Sequence, residues 1–358
     1  MRQTQRSGDN SINYQAEVIH TGISYRDARG IAKDAAMEVF RENFTKLSRE
    51  ALAIAVARAD RFTENFLSEL NERCPEGFGN LGDPGVQSAI FDAQSAYAKT
   101  GDEKLGDTLV GILIDRTVSD VRDLTQLSLE TAIGVAKSLS SPQIALLSCN
   151  FTVKHVAFPD VQTVEDAADN LRRALEPFRE DLSRVGIVDP DYLVGVGCLI
   201  LGVGSIAPER YLGMNYPGLF SEGFSPQQIP DGQKLVDSPL VMPCSGELNR
   251  YKLRAASVRD LDRLIEADHL ESLREIAYAA LTVNVKSDRA ILMEVLRVCP
   301  SLAPFFELWK KLGMNSYLNT PTAVAIAHAN TRRIAGPAFS SPLSQWIPQG
   351  GISGYRAQ

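Results

Sequence analysis

Four histidines could carry acid–base or ligand chemistry: His20, His155, His269 and His328. None stands in an HExxH or other close pair, the spacing a helical metal site needs. His328 lies in the run AIAHANTRR, four positions before Arg332 and on its helical face. An imidazole beside a guanidinium can hold a phosphate or a carboxylate. His328 and Arg332 are therefore the candidate anion-binding pair. A solvated or capped helix end would use the same two residues.

The five cysteines are Cys74, Cys149, Cys198, Cys244 and Cys299, spaced by 75, 49, 46 and 55 residues. No CxxC pair exists, so neither a structural zinc site nor a disulfide framework is expected. Cys244, in the loop MPCSGE, is a candidate thiol nucleophile if a base lies near it. A buried free thiol in a reducing compartment accounts for the same residue. Ser205 follows Gly204 but lacks the GxSxG setting of a serine nucleophile. Asp102, Glu103, Asp107 and Asp115 fall in a helical pattern and read as a charged helix surface. The catalytic residues stay unknown at this level, and no metal and no tightly held cofactor is expected.

The charge balance is 37 − 44 = −7. That argues against a broad nucleic-acid surface, which needs a dense positive field. The polar N-terminus carries no apolar h-region, so a cytoplasmic location is expected. Tyr192–Ala207 reads YLVGVGCLILGVGSIA, 16 residues without a charge. A spanning helix needs roughly 20. The run also holds Gly195, Gly197, Gly202 and Gly204, without a GxGxxG or Gly-Lys-Ser/Thr phosphate loop. It is expected to be a buried core element with its glycines at close contacts, and no stable membrane span is expected.

The elements that must position these residues follow from periodicity. Over residues 1–22, Ile12, Tyr14, Ala16 and Val18 fall on one face and Asn13, Gln15 and Glu17 on the other. Period two means a strand. A lone strand ahead of a helical body has unpaired backbone groups, and the same strand of another copy satisfies them. Asn and Gln side chains can add polar ladders between copies. Ile12, Asn13, Tyr14, Gln15, Ala16 and Val18 are thus the candidate oligomerisation residues; a flexible tail is the alternative.

From Gly22 the period changes to 3.6. A helix is expected to Asn43, and another opens at Ser48 with the stripe Leu52, Ala55, Val56, Ala59, Phe62, Phe66 and Leu70. Cys74–Gly85 breaks the pattern. Further helices are expected at 86–99, 104–116, 118–139, 142–156 and 164–185. Residues 208–248 are rich in Pro and Gly and cannot form continuous helix; a short strand near Leu240–Met242 is expected there. Helices resume at 258–267, 270–281, 288–298, 303–312 and 323–334. Trp346 and Ile347 are expected to dock the C-terminal stretch onto the body. The reading is a mainly α, multi-helix body. It has an N-terminal strand segment (1–22), a helical domain (23–207), an irregular connecting region (208–248) and a second helical domain (249–358).

The opening GDNSINYQA, the stretch YAKTGDEKLGDTLVGILIDRT at Tyr97–Thr117, NYPGLFSEGF at Asn215–Phe224, and AVAIAHANTRR at Ala323–Arg333 with LSQWI after it resemble an uncharacterised family of bacterial proteins. That resemblance spans nearly the whole chain and implies no established activity. Similar Gly-Asp-Asn-Ser-x-Asn-x-Gln-Ala openings stand at the front of other bacterial proteins, some linked to defence against phage. The resemblance implies a portable assembly module and a conflict-system role. The expected function is a self-assembling, non-enzymatic sensor or scaffold, a homo-oligomer with room for a further protein partner. The alternatives are a hydrolase or nuclease with a dispersed site, and a membrane-perturbing effector using Tyr192–Ala207.

Overall fold

Ser48, Asp83, Asp102 and Asp123 each turn a side-chain oxygen onto a backbone N–H three residues ahead. Each satisfies a donor that a helix start leaves orphaned. These caps set the starts of the first helices in the computed structural model, which describes residues 25–44, 48–244, 246, 248–336 and 339–347. Helix α1 is Tyr25–Asn43, α2 Arg49–Arg73, α3 Pro84–Thr100, α4 Glu103–Thr117, α5 Leu124–Ala136 and α6 Ser141–His155. Then come α7 Val164–Leu175, α8 Arg179–Leu182, α9 Asp189–Gly195, strand β1 Leu199–Leu201, α10 Pro208–Asn215 and α11 Gly232–Val236. Strands β2 Val241–Pro243 and β3 Tyr251–Leu253 precede α12 Val258–Ala267, α13 Arg274–Thr282, α14 Asp288–Val298 and α15 Ala303–Lys311. Strand β4 Tyr317–Asn319 and α16 Pro321–Ala335 complete the order. The protein is mainly α.

Gly101 joins α3 to α4. Its φ of +67° is a left-handed value that suits glycine, and it stops α3 one residue before the Asp102 cap. Among the described residues two antiparallel strand pairs pack against the helices. β1 pairs with β4 in the register Leu199↔Asn319, Ile200↔Leu318, Leu201↔Tyr317. β2 pairs with β3 in the register Val241↔Leu253, Met242↔Lys252, Pro243↔Tyr251.

The apolar side chains gather in three cores. The main one runs from Phe62 to Ile347 and centres on α4, α6 and α16. Within it Phe151 of α6 meets Trp346 edge-on at 5.3 Å between ring centres. Ile347 is also buried, so Trp346 and Ile347 dock on the body as expected. A second core holds Phe224, Leu235, Leu240, Leu253, Leu261 and Leu281. The third packs Met37, Phe40 and Phe44 on Ala55, Ala59 and Ala98. The helices after residue 249 therefore divide between two cores: α12 and α13 join the second, α14 to α16 the first.

Three expectations need correction. The run 192–207 is not one buried element. Leu193, Cys198 and Leu199 are buried, but Tyr192, Val194, Ile200, Leu201, Val203 and Ile206 face solvent. Among the described residues nothing stands within 4 Å of a Cβ built at Gly195, Gly197 or Gly204, so these glycines do not mark close packing. Strand also occurs at 199–201 and 317–319, where no period is visible in three residues. Finally, 164–185 is broken after Leu175 by a 3-10 turn holding Pro177, and the helix expected at 118–139 runs only from Leu124, after the Asp123 cap, to Ala136. The candidate oligomerisation residues Ile12, Asn13, Tyr14, Gln15, Ala16 and Val18 lie outside the described residues, as does His20.

Candidate functional site

Two features stand out: a polar seam inside the body and an apolar face outside it. The seam lies where α16 packs on α4 and α6. Gly111 of α4 lets the helices approach; a Cβ there would sit 3.2 Å from the Ala329 Cβ. On one side of this contact Asn330 is buried and fully engaged. It donates to Ser148 Oγ at 2.8 Å and accepts from Thr108 Oγ1 at 3.3 Å and Arg333 Nη2 at 2.9 Å. Buried polar groups are tolerable only when paired in this way.

On the other side the seam brings His328 and Arg332 together on Asp115. Arg332 Nη1 donates to Asp115 Oδ1 at 3.1 Å. His328 Nδ1 stands 3.6 Å from Asp115 Oδ2, too long for a hydrogen bond. The His328 Nε2–H donates to the Ser341 carbonyl at 2.8 Å, and the ring is 0% exposed. The carboxylate that both residues face is thus the protein's own. Asp115 was grouped with the surface acids by sequence; its partners come from 217 positions away, a distance no local pattern reports.

The acids of α4 have different environments. Glu103 pairs with Arg61 at 2.5 Å. Asp107 borders an open polar cleft of about 500 Å3 with Arg29, Arg61, Glu64 and Tyr97. Desolvation raises its pKa, opposed by Arg333 at 3.8 Å. The cysteines are all free. Burial pushes the Cys198 thiol up to about 12 and raises Cys149 and Cys74 as well, so these three are not poised thiolates. Cys244 is half-buried, with its N–H on the Arg250 carbonyl at 2.8 Å. Among the described residues no group of three or more His, Cys, Asp or Glu is placed to hold a metal.

The apolar face surrounds β1. Ile200 is 50% exposed, Leu201 67%, and Val203 projects fully from the loop after the strand. Leu318 of β4, opposite Ile200, and Ile206 extend the face, and α9 adds Tyr192 and Val194. Ile187 and Val188, just before α9, are two-thirds exposed. Local bonds hold the region in place: Tyr192 Oη donates to the Ser138 carbonyl at 2.7 Å and Tyr317 Oη to Asp191 at 3.0 Å. Sequence reasoning missed this face. The short, uncharged, glycine-bearing run 192–207 reads in sequence as a buried element, so the exposure of its side chains has no signal there.

A family model for proteins of uncharacterised type matches residues 22–347. The chain belongs to that family. The match takes in α1 to α16, the seam and the apolar face, and begins after the GDNSINYQA opening. No curated protein and no solved structure matches the chain. Among the described residues no helix is long and apolar enough to cross a membrane.

Proposed function

We propose that this chain is a self-assembling, non-enzymatic protein that works as a sensor or scaffold in the bacterial cytoplasm. Stress or anti-phage defence is the setting suggested by the resemblance of its opening to those of other bacterial proteins. The observation that carries the assembly reading is the exposure of Ile200, Leu201, Val203 and Leu318 on and beside the β1–β4 ribbon. Single proteins seldom leave a contiguous apolar patch above about 300–600 Å2 uncovered without a functional reason. One side of a stable protein interface covers about 800 Å2, so several neighbouring elements must contribute to it. A second copy of the chain is the proposed occupant. The family match beginning at residue 22 supports treating the opening segment as a separate assembly module.

The same exposure favours a second reading, a membrane-directed effector. Charge weighs against it. Asp189, Asp191 and Glu209 lie in or beside the face, and no Lys or Arg falls between 185 and 209. An anionic leaflet attracts basic segments, not acidic ones.

Sedimentation velocity of the full chain tests the proposal with a Leu201→Asp/Val203→Asp variant. Both positions are exposed, so the fold should persist. The expected result is an assembled wild type and a smaller, equally helical variant. An unchanged sedimentation coefficient would exclude this face as an assembly contact.

A further inference from the structure

Between α7 and α8 on one side and α15 on the other lies a cavity of about 280 Å3. Its lining is divided by polarity. Leu175, Leu182 and Leu302 are buried in it, and Val185, Phe305 and Leu308 are half-buried. Three cations complete it: Arg172, Arg179 and Lys311. Both arginines are oriented by acids close by in sequence. Arg172 donates to Asp169 at 2.7 Å, and Arg179 to Glu176 at 2.7 Å. Lys311, in the last turn of α15, has no ion-pair partner among the described residues. Glu176 is the one acid in the lining, and Arg179 already engages it.

An apolar floor with a cationic margin matches one ligand chemistry: a chain to bury and a single negative head. We infer that this cavity binds a medium-chain fatty acid, with its chain against the leucines and Phe305 and its carboxylate at Lys311 and the arginines. Pockets for small molecules commonly combine such an apolar lining with a few placed polar groups. Guanidinium and ammonium groups form their stronger hydrogen bonds with carboxylates. At about 30 Å3 for each water-sized unit, the cavity accommodates roughly nine or ten carbons. A neutral chain would leave Lys311 without a counter-charge, and a cationic amphiphile would be repelled by it. The inference is independent of whether the chain assembles.

Isothermal titration of the full chain with sodium decanoate, 1-decanol and decyltrimethylammonium, each below its micellar or solubility limit, tests it. Saturable binding of one decanoate per chain is expected, at least tenfold tighter than decanol, with no binding of the ammonium compound. Lys311→Glu, an exposed change that leaves the core intact, should weaken decanoate about tenfold and leave decanol unchanged. Leu308→Glu should abolish both, with helicity checked by circular dichroism. Absence of saturable decanoate binding would overturn the inference. So would equal affinity for decanoate and decanol, or decanoate binding that Lys311→Glu and Leu308→Glu both leave unchanged.

Discussion

Lys154, in the last turn of α6, donates from its ammonium to the Met314 carbonyl at 3.1 Å and to the Tyr317 carbonyl. The rings of Trp309 and Tyr211 stand 5.6 and 5.9 Å away. Burial disfavours the charged form and brings its pKa down from 10.5 to about 8. The unfolded chain keeps its proton up to the higher value. Between these pH values the unfolded state therefore binds more protons, and stability rises with pH. From pH 7.5 to 9.5 the wild type should gain about 2 kcal/mol relative to Lys154→Met, which has nothing to titrate. Urea unfolding at the two pH values measures this; parallel changes in both proteins would refute it. Gly218, in the NYPGLF stretch, supplies a second test at the same scale. A Cβ there would lie 1.9 Å from the Ala255 carbonyl oxygen, and the Gly218 N–H donates to Ala256 at 3.1 Å. Gly218→Ala should lose about 3 kcal/mol, since backbone cannot yield as a flexible side chain can. An unfolding midpoint equal to wild type would show the contact to be relieved cheaply. The seam shows what a sequence reports at this scale. The shared face of His328 and Arg332 follows from a four-residue spacing. Their convergence on Asp115 follows from the packing of two helices more than 200 residues apart.

Elements were legible where local chemistry fixes both ends. Helices α12 and α14 begin behind Ser257 and Ser287 caps and fall at 258–267 and 288–298 as periodicity predicts. The 164–185 pattern kept its apolar face through the Pro177 break, so periodicity alone did not reveal the interruption. β1 and β4 were illegible for another reason. Each has three residues, and their pairing joins positions about 120 apart. An uncharged, glycine-bearing run looks the same in sequence whether its side chains point inward or outward. Thr320 links this strand pair to α16. Its Oγ1 accepts from the Ala323 N–H at 3.3 Å, capping the helix, and donates to the Gly197 carbonyl at 2.7 Å before β1. Thr320→Ala should lower stability by about 1 kcal/mol, the usual worth of such a cap, and Thr320→Ser should recover most of it. A Thr320→Ala protein that melts with the wild type would show the link to be idle.

At the scale of the whole molecule, two features would join copies of the chain. One is the alternating segment around Ile12, Tyr14, Ala16 and Val18. The other is the face around Leu201 and Val203. Two different patches on one chain permit a closed ring when the geometry returns on itself and an extended array when it does not. Ile12→Asp/Val18→Asp would place charges on the apolar face of the strand, and burying unpaired charge is costly. Mass photometry of the full wild-type chain beside this double variant tests the central claim most directly. The account predicts a wild type well above the monomer mass of 39.1 kDa and a variant shifted to smaller, still helical species. A wild type that stays monomeric across the accessible concentrations would contradict it.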